Sequence, residues 1–153
     1  YRSSRGLGDV YKRQIQKRST KKKLNPGVWD VSVAGHIGYK EDIKSAAIRE
    51  TFEETGIHIK EKDLLKLGIY TSESNHSKII DREFHHTYIL KIDEVKINLN
   101  YKNDEVDDLK LISLREMDLL LNQNNRDIFI GKNKNYYKDV FEAILKITKE
   151  NYQ

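Results

Sequence analysis

The stretch from residue 35 to residue 57 most constrains what this chain can fold into, and its sequence is GHIGYKEDIKSAAIRETFEETGI. Within it, Glu50, Glu53 and Glu54 stand at positions i, i+3 and i+4, so a helix would bring their carboxylates onto one face. Like charges on adjacent turns repel and destabilise an isolated helix. A divalent cation offsets that repulsion, because hard ions such as Mg²⁺ take carboxylate oxygens as ligands. The spacing therefore predicts a metal-binding helix.

The same stretch contains residues typical of a helix start and a helix end. Asp42 has the side chain of an N-cap, and Gly56 suits the left-handed position that follows many helices. These two residues predict a helix over about residues 43–55. The side chains expected to give this helix an apolar side against the sheet are Ile43, Ala46, Ala47 and Phe52.

The stretch resembles the Nudix box, whose pattern is G-x5-E-x7-R-E-U-x-E-E-x-G-U, with U a bulky aliphatic residue. Ile57 fills the last U position, whereas Thr51 fills the first and departs from the pattern. The fixed residues all occur at the required spacing, namely Gly35, Glu41, Arg49, Glu50, Glu53, Glu54 and Gly56. The alternative is a charged amphipathic helix that ends at a glycine, and the number of matching positions disfavours it.

The resemblance implies a fold and a reaction. The implied fold is an α/β/α sandwich around a mixed sheet. The implied reaction is metal-dependent hydrolysis of the diphosphate linkage in a nucleoside diphosphate derivative or a related organic diphosphate. By position, Glu50, Glu53 and Glu54 would hold Mg²⁺ or Mn²⁺, and the carbonyl of Gly35 would add a ligand.

A further carboxylate outside the box is expected as a metal ligand or general base. The candidates are Glu83, at a predicted strand start, and Glu105, in a predicted loop; a rigid strand positions a group better than a loop, which favours Glu83. Glu50 is the second choice for the base. The box positions expected to be structural are Gly35, Glu41, Arg49 and Gly56, with Glu41 and Arg49 pairing to brace the loop. The residues predicted to bind substrate are Arg18, Lys23 and His36.

Residues 26–36 narrow the resemblance further. Their sequence, PGVWDVSVAGH, is similar to the isopentenyl-diphosphate isomerase branch and the hydrolases grouped near it. The isomerase has a cysteine where this chain has Ala34, and this chain contains no cysteine. Hydrolysis is therefore favoured over movement of a double bond. Two alternatives stay open: an isomerase-like enzyme, and a non-catalytic Nudix module that binds a ligand or RNA. The intact glutamates argue against the non-catalytic module, because a binding module need not keep them.

Composition and charge narrow the remaining classes of partner and location. A length of 153 residues suits one domain, and no apolar run is long enough to cross a bilayer. The absence of cysteine and of a visible signal peptide fits a reducing cytoplasm. Residues 1–14 carry a net charge of +3 out of the chain's +4, so the remainder is nearly neutral and a nucleic-acid partner is disfavoured. The expected partner is a small organic diphosphate, and a homodimer is left open.

Residues 1–14 do not begin with Met, show no hydrophobic period and resemble a translated adaptor sequence. They are predicted to be non-native and to have replaced the first core strand of the family, of which only IQKRS at residues 15–19 is left. The Nudix domain is then expected to span residues 15–153. The alternative is a genuine basic tail.

The rest of the chain has the patterns of alternating strands, loops and helices. Strands are predicted at residues 29–34, within 63–72, at 83–92 and at 109–112. Polar loops are predicted at 73–78 and 98–108, and helices at about 114–121 and 135–151.

Overall fold

The computed structural model describes residues 12–122, 129 and 134–150. Its elements are strand β1 (Lys12–Arg18), strand β2 (Trp29–Asp30), helix α1 (Ile43–Thr55), strand β3 (Leu64–His76), strand β4 (Ile79–Leu90), strand β5 (Val106–Ser113), helix α2 (Leu114–Asn122) and helix α3 (Lys134–Glu150). Short 3-10 turns lie at Glu61–Asp63 and Glu94–Lys96. None of the helices described combines the length and the apolar character that crossing a membrane requires.

The named strands pair in two antiparallel sheets. In the first sheet β1 lies between β2 and β5, and in the second β3 and β4 form a long hairpin. A parallel bridge joins Trp29 to Phe129 beside the first sheet, so both pairing directions occur. Helices α2 and α3 pack with the first sheet around a core of Ile15, Ile112, Met117, Phe129 and Tyr137. The predicted α/β class is confirmed.

A strand is present where the sequence predicts that one has been lost. All seven residues of β1 pair with β5, and Ile15 on β1 is only 1% exposed. Residues 12–14, which belong to the segment set aside as non-native, form the first half of this strand. Residues 12–14 thus fill the strand position, because they supply the backbone hydrogen bonds that β5 needs. The non-native origin of residues 1–14 stays a prediction, and residues 1–11 lie outside the described part.

Helix α1 has the predicted bounds and the predicted caps. The Asp42 side chain accepts a hydrogen bond from the Ser45 N–H at 3.1 Å. Gly56 has a φ of 73°, and its N–H donates to the Phe52 carbonyl at 2.8 Å. A Cβ at Gly56 would also lie 2.7 Å from the ring of Tyr101. Glycine is thus required here both by the left-handed backbone and by the ring packed against it.

The buried face of α1 is mostly polar, which differs from the apolar side predicted. Phe52 is 41% exposed and stacks on His58 rather than on the sheet. The threonine hydroxyls donate to carbonyls four residues earlier in the same helix, which satisfies them without water. The buried residues are Ala46, Glu50, Thr51, Glu54 and Thr55. Two of the three glutamates therefore face the interior.

Two strand predictions differ from the structure in opposite directions. The hairpin continues through residues 73–78, predicted as a loop, because the two strands stay in register up to the pair of His76 and Ile79. One side-chain contact supports this part, since Arg82 donates to Glu73 at 2.9 Å. Strand β2 instead ends at Asp30, although the pattern predicts it to residue 34. The backbone beyond β2 bonds to side chains rather than to a strand, since the Ser32 carbonyl accepts from Gln16 at 3.2 Å.

Candidate active site

Arg49 ties the loop before α1 to the helix. Its Nε and Nη2 donate to the two carboxylate oxygens of Glu41 at 2.8 and 3.0 Å, and Nη2 also donates to the His36 carbonyl at 3.0 Å. The Gly38 N–H donates to the same carboxylate at 2.7 Å. The hydrogen bond from Arg49, helped by that of Gly38, lowers the pKa of Glu41 to about 2. The predicted pair of Glu41 and Arg49 is present and braces the loop.

The same guanidinium also contacts two glutamates of the helix. Its Nη1 donates to Glu50 at 2.8 Å and to Glu53 at 3.0 Å. The hydrogen bonds with Glu41 and Glu50 raise the pKa of Arg49 above its ordinary value. Part of the repulsion among the glutamates is therefore offset by an arginine within the chain, without a metal ion.

Glu50 packs directly against the backbone of Gly35. The Glu50 side chain is nearly buried, and a Cβ added to Gly35 would lie 2.0 Å from its carboxylate carbon. Any side chain at residue 35 would displace that carboxylate, so this approach requires glycine. Two of the predicted metal ligands, the Glu50 carboxylate and the Gly35 backbone, are thus neighbours.

Glu54 is fully buried, with 0% of its surface exposed. One carboxylate oxygen, Oε2, accepts from Gln16 Nε2 at 2.7 Å and from the Ala34 N–H at 2.9 Å. The other oxygen, Oε1, is buried and has no hydrogen-bond partner in the part of the chain that the structure describes. Burial raises the pKa of Glu54 to about 7, although these two hydrogen bonds and the charge of Lys22 oppose the rise.

Glu53 lies apart from the other two glutamates. Successive residues on a helix are turned by about 100°, so Glu53 points away from Glu54, and its side chain is 45% exposed beside Arg49. Within residues 12–122, 129 and 134–150, no three His, Cys, Asp or Glu side chains converge closely enough to hold a metal ion. The donor chemistry nevertheless fits a hard divalent cation, because the unpartnered oxygen of Glu54 is a carboxylate oxygen buried without a donor.

The two carboxylates considered outside the box have different surroundings. Glu83, on β4, borders a large cleft that Glu50 also borders, and its carboxylate lies 3.3 Å from His85 Nε2. Glu105 lies 3.1 Å from Lys22 Nζ, and Lys22 is near enough to Glu54 to lower its pKa. Glu105 therefore pairs with a lysine whose charge acts on Glu54, while Glu83 shares a cleft with Glu50.

The residues predicted to bind substrate differ in their surroundings. Arg18 and His36 border the same cleft, but the Arg18 guanidinium is engaged by Asp30 at 3.4 Å and by the Leu24 carbonyl at 3.2 Å. Lys23 is exposed on the loop after β1. The structure thus brings His36 and Arg18 to the cleft, and it gives Arg18 a structural role as well.

Sequence reasoning missed the two donors that hold Glu54. Gln16 lies on β1 and Ala34 on the loop after β2, so both are far from the box glutamate in sequence. No sequence signal identifies Gln16: it follows Ile15 on β1, and only the structure shows that these two successive strand residues are both buried. A buried glutamine needs partners, but the sequence does not identify them.

Replacement of Arg49 by Met is expected to raise the pKa of Glu41 from about 2 towards the ordinary value of 4.5, because the main hydrogen bond to that carboxylate is lost. The measurement is an NMR titration of the Glu41 side-chain carboxyl carbon. Lys44→Met is the control, since Lys44 pairs with Glu61 at 3.2 Å. A Glu41 pKa that stays near 2 in Arg49→Met would show that the hydrogen bond from Arg49 does not set the Glu41 pKa.

Comparisons with known proteins agree with this geometry. The family model described as NUDIX domain matches residues 12–130. An uncharacterized Nudix hydrolase from Clostridium acetobutylicum is 32% identical in an alignment 155 positions long, which covers 86% of this chain and 75% of the relative. Isopentenyl-diphosphate Delta-isomerase 2 from Photorhabdus laumondii is 32% identical over 116 residues, which cover 75% of this chain and 62% of that protein.

A solved structure of a MutT NUDIX hydrolase from Burkholderia pseudomallei superimposes with a TM-score of 0.55 at 18% identity, over 68% of this chain and 74% of that one. This likeness confirms the predicted Nudix-type fold. The family model spans more than half of the chain, and its match contains the whole of the box with its buried Glu54. On these grounds the chain belongs to the Nudix family.

Proposed function

We propose that the chain is a metal-dependent hydrolase that cleaves the diphosphate linkage of a nucleoside diphosphate derivative or a related organic diphosphate. Membership of the Nudix hydrolase family supports a diphosphate-hydrolase kind of function. The observation that carries the proposal is Glu54, which is fully buried with one oxygen held by two donors and the other unpartnered in the described chain. Burying a carboxylate oxygen without a partner is unfavourable, and a bound cation would supply that partner.

The proposed roles follow from the contacts. Glu50, Glu53, Glu54 and the Gly35 carbonyl would hold Mg²⁺ or Mn²⁺. When bound, such a cation neutralises the diphosphate charge and acidifies a water molecule. Arg49 keeps the loop at Gly35 against the helix through Glu41 and the His36 carbonyl. Exposed Glu53 is tied to Arg49, and its recruitment to the cation would require that ion pair to open.

An isomerase-like activity is the second candidate, because the Photorhabdus relative is an isopentenyl-diphosphate isomerase. This chain has Ala34 where the resemblance places the isomerase cysteine. The Ala34 N–H, moreover, is used to hold Glu54. The missing thiol favours hydrolysis, whereas the backbone N–H does not distinguish the two reactions, because a cysteine would donate the same hydrogen bond.

The test is product release from a panel of organic diphosphates by the wild-type chain. The panel spans dinucleotides, nucleotide sugars, nucleoside triphosphates and isopentenyl diphosphate, each with Mg²⁺, with Mn²⁺ and with EDTA. Metal-dependent release of phosphate or nucleotide is expected. Binding of a nucleotide or an RNA by folded protein without turnover would instead support a binding module, and a shifted double bond without phosphate release would support the isomerase.

Glu105→Gln is expected to lower kcat about a hundred-fold or more, which is the size of effect seen when a general acid or base is removed. The loss is expected to be larger than that in Glu83→Gln. Although the sequence favours Glu83, Glu105 pairs with Lys22, whose positive charge acts on Glu54 and lowers its pKa. Its loop also docks on α1, because Tyr101 and Asn103 donate to the Glu53 carbonyl. Steady-state kinetics of both variants measures this. A larger loss in Glu83→Gln would return the role to the strand residue.

Three further statements stay predictions. A small organic diphosphate, rather than a nucleic acid, is the proposed partner. A homodimer is tested by sedimentation equilibrium of the purified chain. A cytoplasmic location is tested by cell fractionation.

A further inference from the structure

We propose that Gln16 is a positioning residue for Glu54: it holds one carboxylate oxygen so that the other is presented to the divalent cation. The proposal rests on the proposed function and assigns a task to a residue outside the Nudix box. The geometry that carries it is a buried amide, a buried carboxylate and one unpartnered oxygen, arranged in that order.

The amide of Gln16 is committed to this contact. Gln16 is 2% exposed, and its Nε2 donates to Glu54 Oε2 at 2.7 Å and to the Ser32 carbonyl at 3.2 Å. A primary amide nitrogen has two N–H groups, and both are used here. If the amide oxygen and nitrogen of Gln16 were exchanged, the oxygen would face Glu54 Oε2 and the Ser32 carbonyl, which are both acceptors. Only the orientation with nitrogen at this position allows both hydrogen bonds.

The backbone that carries Gln16 is fixed on both sides. Gln16 pairs with Asp30 of β2 and with Leu109 of β5, which places it in the middle strand of the first sheet. A side chain on a paired central strand is better positioned than one on a loop. The second donor to Glu54 is the N–H of Ala34, which lies on a loop. Gln16 therefore supplies the anchor from the rigid sheet.

Holding Oε2 determines where Oε1 lies. The two oxygens belong to one planar group, so two donors at Oε2 stop the carboxylate from rotating. Oε1 is then buried at a defined position, and no donor in the described chain competes for it. Partners that orient a metal ligand in this way affect metal affinity about 10- to 100-fold.

The test compares Gln16→Met with wild-type protein. Methionine keeps the length and approximate volume of glutamine but removes both N–H donors. Gln14→Met is the matched control, because Gln14 lies two residues earlier on the same face of β1 and its amide oxygen has no hydrogen-bond partner in the described chain. Mn²⁺ binding is measured by electron paramagnetic resonance on protein shown to be folded by circular dichroism.

We expect the Kd for Mn²⁺ to rise about 10- to 100-fold in Gln16→Met and to change less than about two-fold in Gln14→Met. In Gln16→Met, saturating Mn²⁺ should restore much of the hydrolysis lost at low Mn²⁺, whereas a general loss of structure would not respond to metal. If Gln16→Met does not fold, Gln16→Asn replaces it, since its amide is one methylene too short to span the contact.

Equal Mn²⁺ affinity in Gln16→Met and wild type would overturn the proposal, as would equal losses in both variants. Wild-type protein that binds no Mn²⁺ would overturn this inference together with the metal site. Wild-type protein that binds Mn²⁺ but hydrolyses no diphosphate would overturn the proposed hydrolase alone, because the Kd comparison would still decide the role of Gln16.

Discussion

Glu54→Gln is expected to lower metal-dependent diphosphate hydrolysis by about a thousand-fold, a loss of the size seen when a group acting on the transition state is removed. The substituted amide can still accept from Gln16 and Ala34 through its oxygen. It then places an NH₂ group where Oε1 stood, and it removes the negative charge. The shape of the site is kept while its ability to bind a cation is lost.

The measurement is kcat with the best substrate of the panel, at saturating Mg²⁺ and again at saturating Mn²⁺. Glu61→Gln is the control, because Glu61 is an exposed glutamate that pairs with Lys44 at 3.2 Å after the end of α1. Its activity should match wild type. A Glu54→Gln enzyme that retained a tenth or more of wild-type kcat would remove Glu54 from the centre of the mechanism.

The same Glu54→Gln substitution is expected to stabilise the metal-free protein as the pH rises. Burial raises the pKa of Glu54 from 4.5 to about 7, so the folded state disfavours the ionised form. Below pH 4.5 the carboxyl is protonated in both states and has no such effect. Between pH 4.5 and 7 the unfolded state releases the proton first, so stability is lost as the pH rises. Above pH 7 the full cost, about 3 kcal/mol, is present in wild type alone.

Urea unfolding of both proteins in EDTA, at intervals from pH 4.5 to pH 8.5, measures this difference. The amide itself has a pH-independent cost, so the informative quantity is the change in the difference between the two proteins across this range. Added Mn²⁺ should stabilise wild type and not the variant, because only the ionised carboxylate binds the cation. A difference that does not vary with pH would show that Glu54 titrates normally.

Local sequence was sufficient for the helix at the centre of this site. Asp42 and Gly56 determine where α1 begins and ends through contacts with residues at most four positions away. The pairing of Glu41 with Arg49 also lies within the box. Interactions of this range depend on spacing and on residue type, and both are visible in the sequence.

The first strand and the hairpin were harder to predict from the sequence, because strand pairing joins residues that lie far apart in the chain. Residues 12–14 have no hydrophobic period, yet they pair along β5. The polar residues of the hairpin were predicted as a loop, yet they pair across two strands. The preference of a side chain for a strand depends on its neighbours in the sheet, so polar residues can be held in a strand once the partner strand is in place.

The sequence by itself determined the family and the helix, and it identified the three glutamates that are proposed to bind a metal. Only the tertiary structure decided that Glu50 and Glu54 face inward while Glu53 is exposed, and that Gln16 and the Ala34 N–H hold Glu54. The reason is that helical spacing places side chains around an axis but does not say which side the sheet will cover. Burial then sets the pKa of Glu54, and burial depends on the whole fold.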